Sequence, residues 1–107
     1  MSFSKKQKRI LRELAVECHE WHLRTFLENL YEDFQKWGGY SIGALELTER
    51  IHKFHDGPAR DLYKIYVLAP PELAICFAIN NSVISFDAID PEISEEIRAL
   101  LAKNVDR

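Results

Sequence analysis

A chain of 107 residues, 47% hydrophobic and 29% charged, has the make-up of one ordinary globular domain, large enough to bury a core without disulfide or metal staples. No apolar run approaches the roughly 20 residues of a membrane span, and Met1-Ser-Phe-Ser-Lys-Lys does not read as a secretory signal. No membrane contact and a cytoplasmic address are therefore expected. The formal net charge of −3 argues against general nucleic-acid binding, which draws on a basic face and counterion release.

The first dozen residues run against that balance. Lys5, Lys6, Lys8, Arg9 and Arg12 crowd one end of the chain, and cations there oppose the dipole of a helix that starts nearby. Residues 1–9 are therefore expected to form a basic, mobile arm on a single domain spanning 1–107. From about residue 4 to 37 the chain has no Gly or Pro and is rich in Leu, Glu, Arg and Lys, which predicts a long helix with Ser2 or Ser4 as N-cap and Gly38-Gly39 as the stop. Its apolar face does not keep one phase. Ile10, Leu14, Cys18 and Trp21 cluster on one side, while Leu23, Phe26, Leu30, Phe34 and Trp37 cluster about 150° away at 100° per residue. Either the helix kinks near Trp21, or its halves pack on different neighbours, the first on another subunit or on the C-terminal segment.

Ser41 is the expected cap of a second helix over about 42–67. Leu47, Ile51, Phe54, Pro58, Leu62 and Ile65 recur every three or four residues, and that phase runs straight through Gly57-Pro58. Two independent helices would have no reason to keep register, so one helix kinked at 57–58 is predicted; the alternative is a break, with a new helix capped by Asp56. Ala69-Pro70-Pro71 ends it. A helix over about 71–81 follows, with a β-hairpin over 75–86 turning at Asn80-Asn81 as the rival. A short turn over 85–89 and a helix over 91–103, opened by Asp90-Pro91, complete an all-α fold. The long helix and the kinked one should form an antiparallel hairpin, closed by the short C-terminal helices.

If the second helix is continuous, Glu49, His52, Asp56, Arg60 and Tyr63 form one polar strip, with His55 between strip and core. The plain reading is a ladder of surface pairs, His52 with Asp56 and Asp56 with Arg60. The functional reading is a binding surface on a rigid element. A metal site is the other constellation: His19-x-x-His22 and His52-x-x-His55 each put two imidazoles on a helical face. A di-metal bundle also needs carboxylates from its other two helices, and Leu73–Asn81 has none, so no metal and no cofactor are assigned. Cys18 and Cys76 read as buried small hydrophobes, with a disulfide between them as the alternative. Tyr63, Tyr66, Phe54 and Phe77 read as core aromatics. No phosphate loop, nucleophile elbow or Cys–His pairing points to catalysis.

The block Arg50-Ile-His-Lys-Phe-His-Asp-Gly-Pro-Ala-Arg-Asp-Leu-Tyr63, following Trp37-Gly-Gly, resembles a group of small uncharacterised bacterial all-helical proteins. The resemblance covers about half the chain. It implies a bacterial cytosolic helical domain and brings no activity with it. The expectation is a non-enzymatic helical interaction module with itself and another protein as partners. Its aromatic load at Trp21, Phe26 and Phe34 points to a homo-oligomer. The alternative is a small-ligand- or metal-binding protein using His52, His55 and Asp56.

Overall fold

The computed structural model describes residues 3–105, with side chains to residue 102. The fold is all-α, with no strand among the described residues. Helix α1 spans Lys5–Gly38. Helix α2 is one helical run made of Ala44–Phe54, a π-helical segment His55–Ala59, Arg60–Tyr63 and a second π-helical segment Lys64–Leu68. Helix α3 spans Pro71–Asn80, a 3₁₀ turn covers Phe86–Ala88, and α4 spans Pro91–Val105. The rival β-hairpin over 75–86 is thus absent, and Ile75–Ile79 lies inside α3.

The start of α1 is capped at Ser4; Met1 and Ser2 of the expected arm lie outside the described residues. Ser4 accepts the Gln7 backbone N–H at 3.1 Å and donates its own N–H to the Gln7 side chain at 2.9 Å. Phe3 is buried, and Lys5–Arg9, expected in an arm, form the first turns of the helix. The other end closes with a Schellman pair, Tyr40 N–H to Trp37 C=O at 3.0 Å and Ser41 N–H to Lys36 C=O at 2.8 Å. The residue in the left-handed region there is Tyr40 (φ 64°), not Gly38 or Gly39. Ser82 (φ 59°) plays the same part at the end of α3. The N-cap of α2 is Gly43 with no side-chain cap, not Ser41, whereas Asp90 caps α4 through a 2.9 Å bond from Glu92 N–H.

The core lies at one end of the hairpin. Leu11, Ala15 and Cys18 of α1 meet Leu62 and Tyr66 of α2, Ala74, Ile75, Cys76 and Ala78 of α3, and Ile93 and Ile97 of α4. The two faces of α1 therefore serve two neighbours. Its first half packs on α3 and the C-terminal half of α2, and its second half runs along Ala44–Phe54. Trp21, expected in the first cluster, is 64% exposed; the inward phase is Leu11, Ala15, Cys18 and His22. Cys18 and Cys76 are buried free thiols, and burial pushes Cys18 up to about 11, so it stays protonated at neutral pH.

Gly57-Pro58 is neither a break nor a simple kink. The inward positions of α2 are Leu47, Ile51, Phe54, Pro58, Leu62 and Tyr66. Phe54 to Tyr66 is about 3.3 turns of α-helix, which would swing Tyr66 roughly 120° off the face of Phe54. Two π turns absorb that drift, since each holds one residue more than an α turn. The first contains Pro58, whose missing N–H an i→i+5 pattern steps over. The second ends with Ala69 N–H on Lys64 C=O at 3.0 Å, an i→i+5 bond.

The molecule is long and thin, 54 × 26 × 21 Å, because the hairpin outruns its cover. In the outer half Leu47 is buried, and Arg50 ties the helices by donating to Asp33 of α1 at 2.6 Å and to Glu46 at 3.0 Å. Two consequences are measurable by chemical denaturation. Leu11→Ala, at a fully buried site, should lose about 2–5 kcal/mol of stability. Tyr40→Gly should gain about 1 kcal/mol by relieving the left-handed backbone of a bulky residue.

Candidate functional site

The most built-up constellation sits where α1, α2 and α3 meet beside the π segments. His22 Nδ1 lies 2.9 Å from the Tyr66 hydroxyl. The imidazole stacks on Phe26 (5.8 Å, 23°) and on Phe77 (5.5 Å, 24°), and Tyr66 meets it edge-on (5.8 Å, 75°). His19 stacks on the Tyr66 ring from one turn earlier in α1 (5.3 Å, 15°). Three helices thus converge on one pair of polar atoms in an aromatic setting.

Elementary acidity fixes how that pair is wired. Burial raises the Tyr66 phenol well above its usual range, so it keeps its proton. Burial, and next the charge of His19, lower the pKa of His22, so its imidazole is neutral at pH 7. A phenol is the stronger donor of the two, so Tyr66 O–H donates to His22 Nδ1 and the ring carries its proton on Nε2. No buried side-chain N or O atom among the described residues lacks a partner. Nε2 has no bond to a described residue, so it reaches solvent through the groove that His22 lines. That groove measures about 580 Å³. Phe26, Pro58, Leu62, Ile65 and Phe77 supply apolar wall, and Asp61, Lys64 and Asn81 stand at its edge.

The polar strip read from the sequence lies elsewhere. Glu49, His52, Asp56, Arg60 and Tyr63 are all exposed on the outer side of α2. His55, placed between strip and core by helical phase, has an 83% exposed side chain. The expected ladder does not form: Asp56 meets His55 at 3.3 Å, and Glu49 pairs with Lys53 at 3.2 Å. Both pairs are solvated and screened. Tyr63, expected in the core, is half exposed, whereas Tyr66 takes the inward place. His52 and His55 on one side and His19 and His22 on the other share no site, and no group of three or more metal-ligating side chains assembles among the described residues. His22 was visible in the sequence only as half of a His-x-x-His pair; the signal that would have found its role is Tyr66, one π-shifted turn beyond Leu62.

A second surface is apolar. On α1, Val16, Leu27, Tyr31 and Phe34 are 68%, 44%, 64% and 42% exposed, and at 100° per residue they share one stripe. Val16 shares a groove with Val67 of α2, itself half exposed. Basic side chains at Lys5, Lys6, Lys8, Arg9 and Arg12 form a third patch, with no carboxylate partner among the described residues. No helix of the described residues is long and apolar enough to cross a membrane. No protein-family model, no curated protein and no solved structure matches the chain.

The lowered pKa of His22 has a signed consequence. Its folded value lies below the unfolded value of 6.5, so the unfolded chain binds the extra proton first. The stability this contributes is complete above pH 6.5 and is lost as pH falls from there through the folded pKa. His22→Gln should flatten the fall in denaturation midpoint between about pH 7 and 5. An unchanged profile would place the proton uptake elsewhere.

Proposed function

We propose that this chain is a non-enzymatic helical interaction module that self-associates through the uncovered face of the α1–α2 hairpin. The observation behind this reading is the mismatch between the hairpin and its cover. α3 and α4 close over one end, while the outer half carries Leu23, Leu27, Leu30, Phe34 and Trp37 at alternating spacings of four and three with one buried residue opposite, Leu47. Such a spacing is a coiled-coil seam, and a seam of this kind is stable when another helix fills it. One helix of the hairpin cannot cover it fully: Leu27, Phe34 and Trp37 keep 44%, 42% and 46% of their surface in water.

A second copy is the occupant that suits this shape. The stripe runs along a single helix, so a two-fold axis lays it antiparallel on itself, leucine and phenylalanine against their equivalents, and two hairpins become a four-helix layer. The tip supports the same reading. Tyr40 holds a left-handed backbone that glycine would hold more cheaply, and its side chain is 95% exposed beside Leu45, which is 90% exposed. Two large apolar groups held in water at the tip, one of them on a strained backbone, are explained by a contact that covers them. The exposed strip at Glu49, His52, Asp56 and Arg60 offers the polar side chains that set register and partner choice more than affinity.

Sedimentation velocity at tens of micromolar should give the mass of a dimer. The double variant Leu27→Glu, Phe34→Glu should sediment as a monomer and keep its helical circular dichroism, since both sites lie outside the core. A native monomer across that range would remove this reading.

A further inference from the structure

We propose that the groove at the junction of α1, α2 and α3 binds a free aromatic amino acid, its ring against Phe26, Pro58, Ile65 and Phe77, its carboxylate on Lys64 and its ammonium on Asp61. The self-association surface is a different face of α1, so this inference stands independently of it.

The size and walls come first. A groove of about 580 Å³ is in the range of small-molecule sites, and its lining is aromatic and aliphatic with few polar groups. Phe26 and Phe77 each stack on the His22 imidazole, and all three line the groove, so its wall is built of flat rings against whose remaining surface a flat guest can pack. Of the lining residues Leu62 is buried, with Tyr66 buried behind it in the core, so the guest is held at the surface and not in the core.

The charges then select among flat guests. Asp61 and Lys64 stand three residues apart on α2, a spacing that commonly makes a surface pair, yet neither lies within ion-pair distance of any described partner. Both line the groove. Opposite charges presented separately, with attachment points about 5–6 Å apart, match the ammonium and carboxylate of one α-amino acid. A nucleotide or other phosphate would meet the Asp61 carboxylate, a simple carboxylic acid would leave Asp61 unpaired, and a simple amine would leave Lys64 unpaired. His22 Nε2–H adds a neutral donor to the lining, and Asn81, whose amide N–H₂ donates to Phe77 C=O at 2.8 Å, keeps its side-chain oxygen as an acceptor. The second π segment, Lys64–Leu68, begins at the lysine, so the same turn that points Tyr66 inward sets Lys64 at the rim.

The test is a titration of the ¹⁵N-labelled full chain with L-tryptophan, followed by amide shifts. Saturable shifts centred on His22, Asp61, Lys64 and Phe77 are expected, with a Kd below about 1 mM. Indole-3-propionate, which lacks the ammonium, tryptamine, which lacks the carboxylate, and L-leucine, which lacks the ring, should each bind about tenfold more weakly or worse. Asp61→Asn and Lys64→Gln change exposed side chains, keep the native spectrum and should each weaken tryptophan by a similar factor. No saturable shift up to roughly 5 mM tryptophan overturns the proposal. So does tryptamine or indole-3-propionate binding as tightly as tryptophan, or unchanged affinity in both variants.

Discussion

The buried hydroxyl of Tyr66 is the constraint on which the rest of this molecule depends. A phenol taken out of water must find a partner, and the one it finds, His22, is 44 residues away on another helix. For the two to meet, α2 must hold one face inward from Leu47 to Tyr66, which a regular α-helix cannot do over that length. The two π segments supply the missing rotation. They also allow Pro58 to sit inside a continuous helix, where an α-helical ladder would lose a bond and suffer a clash. The hydrogen bond, the π turns and the proline are therefore three aspects of one solution.

That solution divides the chain into two unequal parts. At the end where Tyr66 faces inward, α3 and α4 can close over the hairpin, and Leu11, Ile75, Ile93 and Ile97 disappear from solvent. Arg98 over the Phe86 ring at 4.0 Å pins the loop between α3 and α4 to that core. Beyond Phe26 the hairpin has no third layer. There the helices hold together through Leu47 and the bond from Arg50 to Asp33, and Leu27, Phe34 and Trp37 of the seam stay nearly half exposed. A two-helix half of this kind buries too little to be strongly stable by itself, because helices gain most of their stability from a packed apolar face. The same imbalance that leaves it weak makes it available for contact.

The groove beside His22 belongs to the covered end but owes its shape to the transition between the two. It lies where α3 stops and α2 changes from π to α winding, so its apolar walls come from three elements and its charges from one. Burial is the first cause that keeps His22 neutral and Tyr66 protonated, with the charge of His19 and of Cys18 acting second in the same direction. The pair can therefore present a directed donor to the groove without placing a buried charge there.

Much of the architecture could be read from local chemistry. The glycines at 38–39, the prolines at 70–71 and the Asp90-Pro91 start mark helix ends because they act on the backbone of their own residues, and the unbroken apolar phase through Gly57-Pro58 showed that α2 continues. Such local signals suffice for the all-α class and for the order of the helices. What the sequence by itself could not determine was facing. Trp21 has the spacing of a core residue and lies in water, because the inward phase of α1 runs through Leu11, Ala15, Cys18 and His22. His55 has the phase of a half-buried residue and is exposed. Tyr63 yields the inward place to Tyr66 after the first π turn, which leaves no mark in a 3.6-residue count. The meeting of His22 with Tyr66, and of Asp61 and Lys64 with an aromatic wall, was decided by tertiary packing alone. Those contacts join residues far apart in the chain, and only the buried surface they share gives the reason for the register that brings them together.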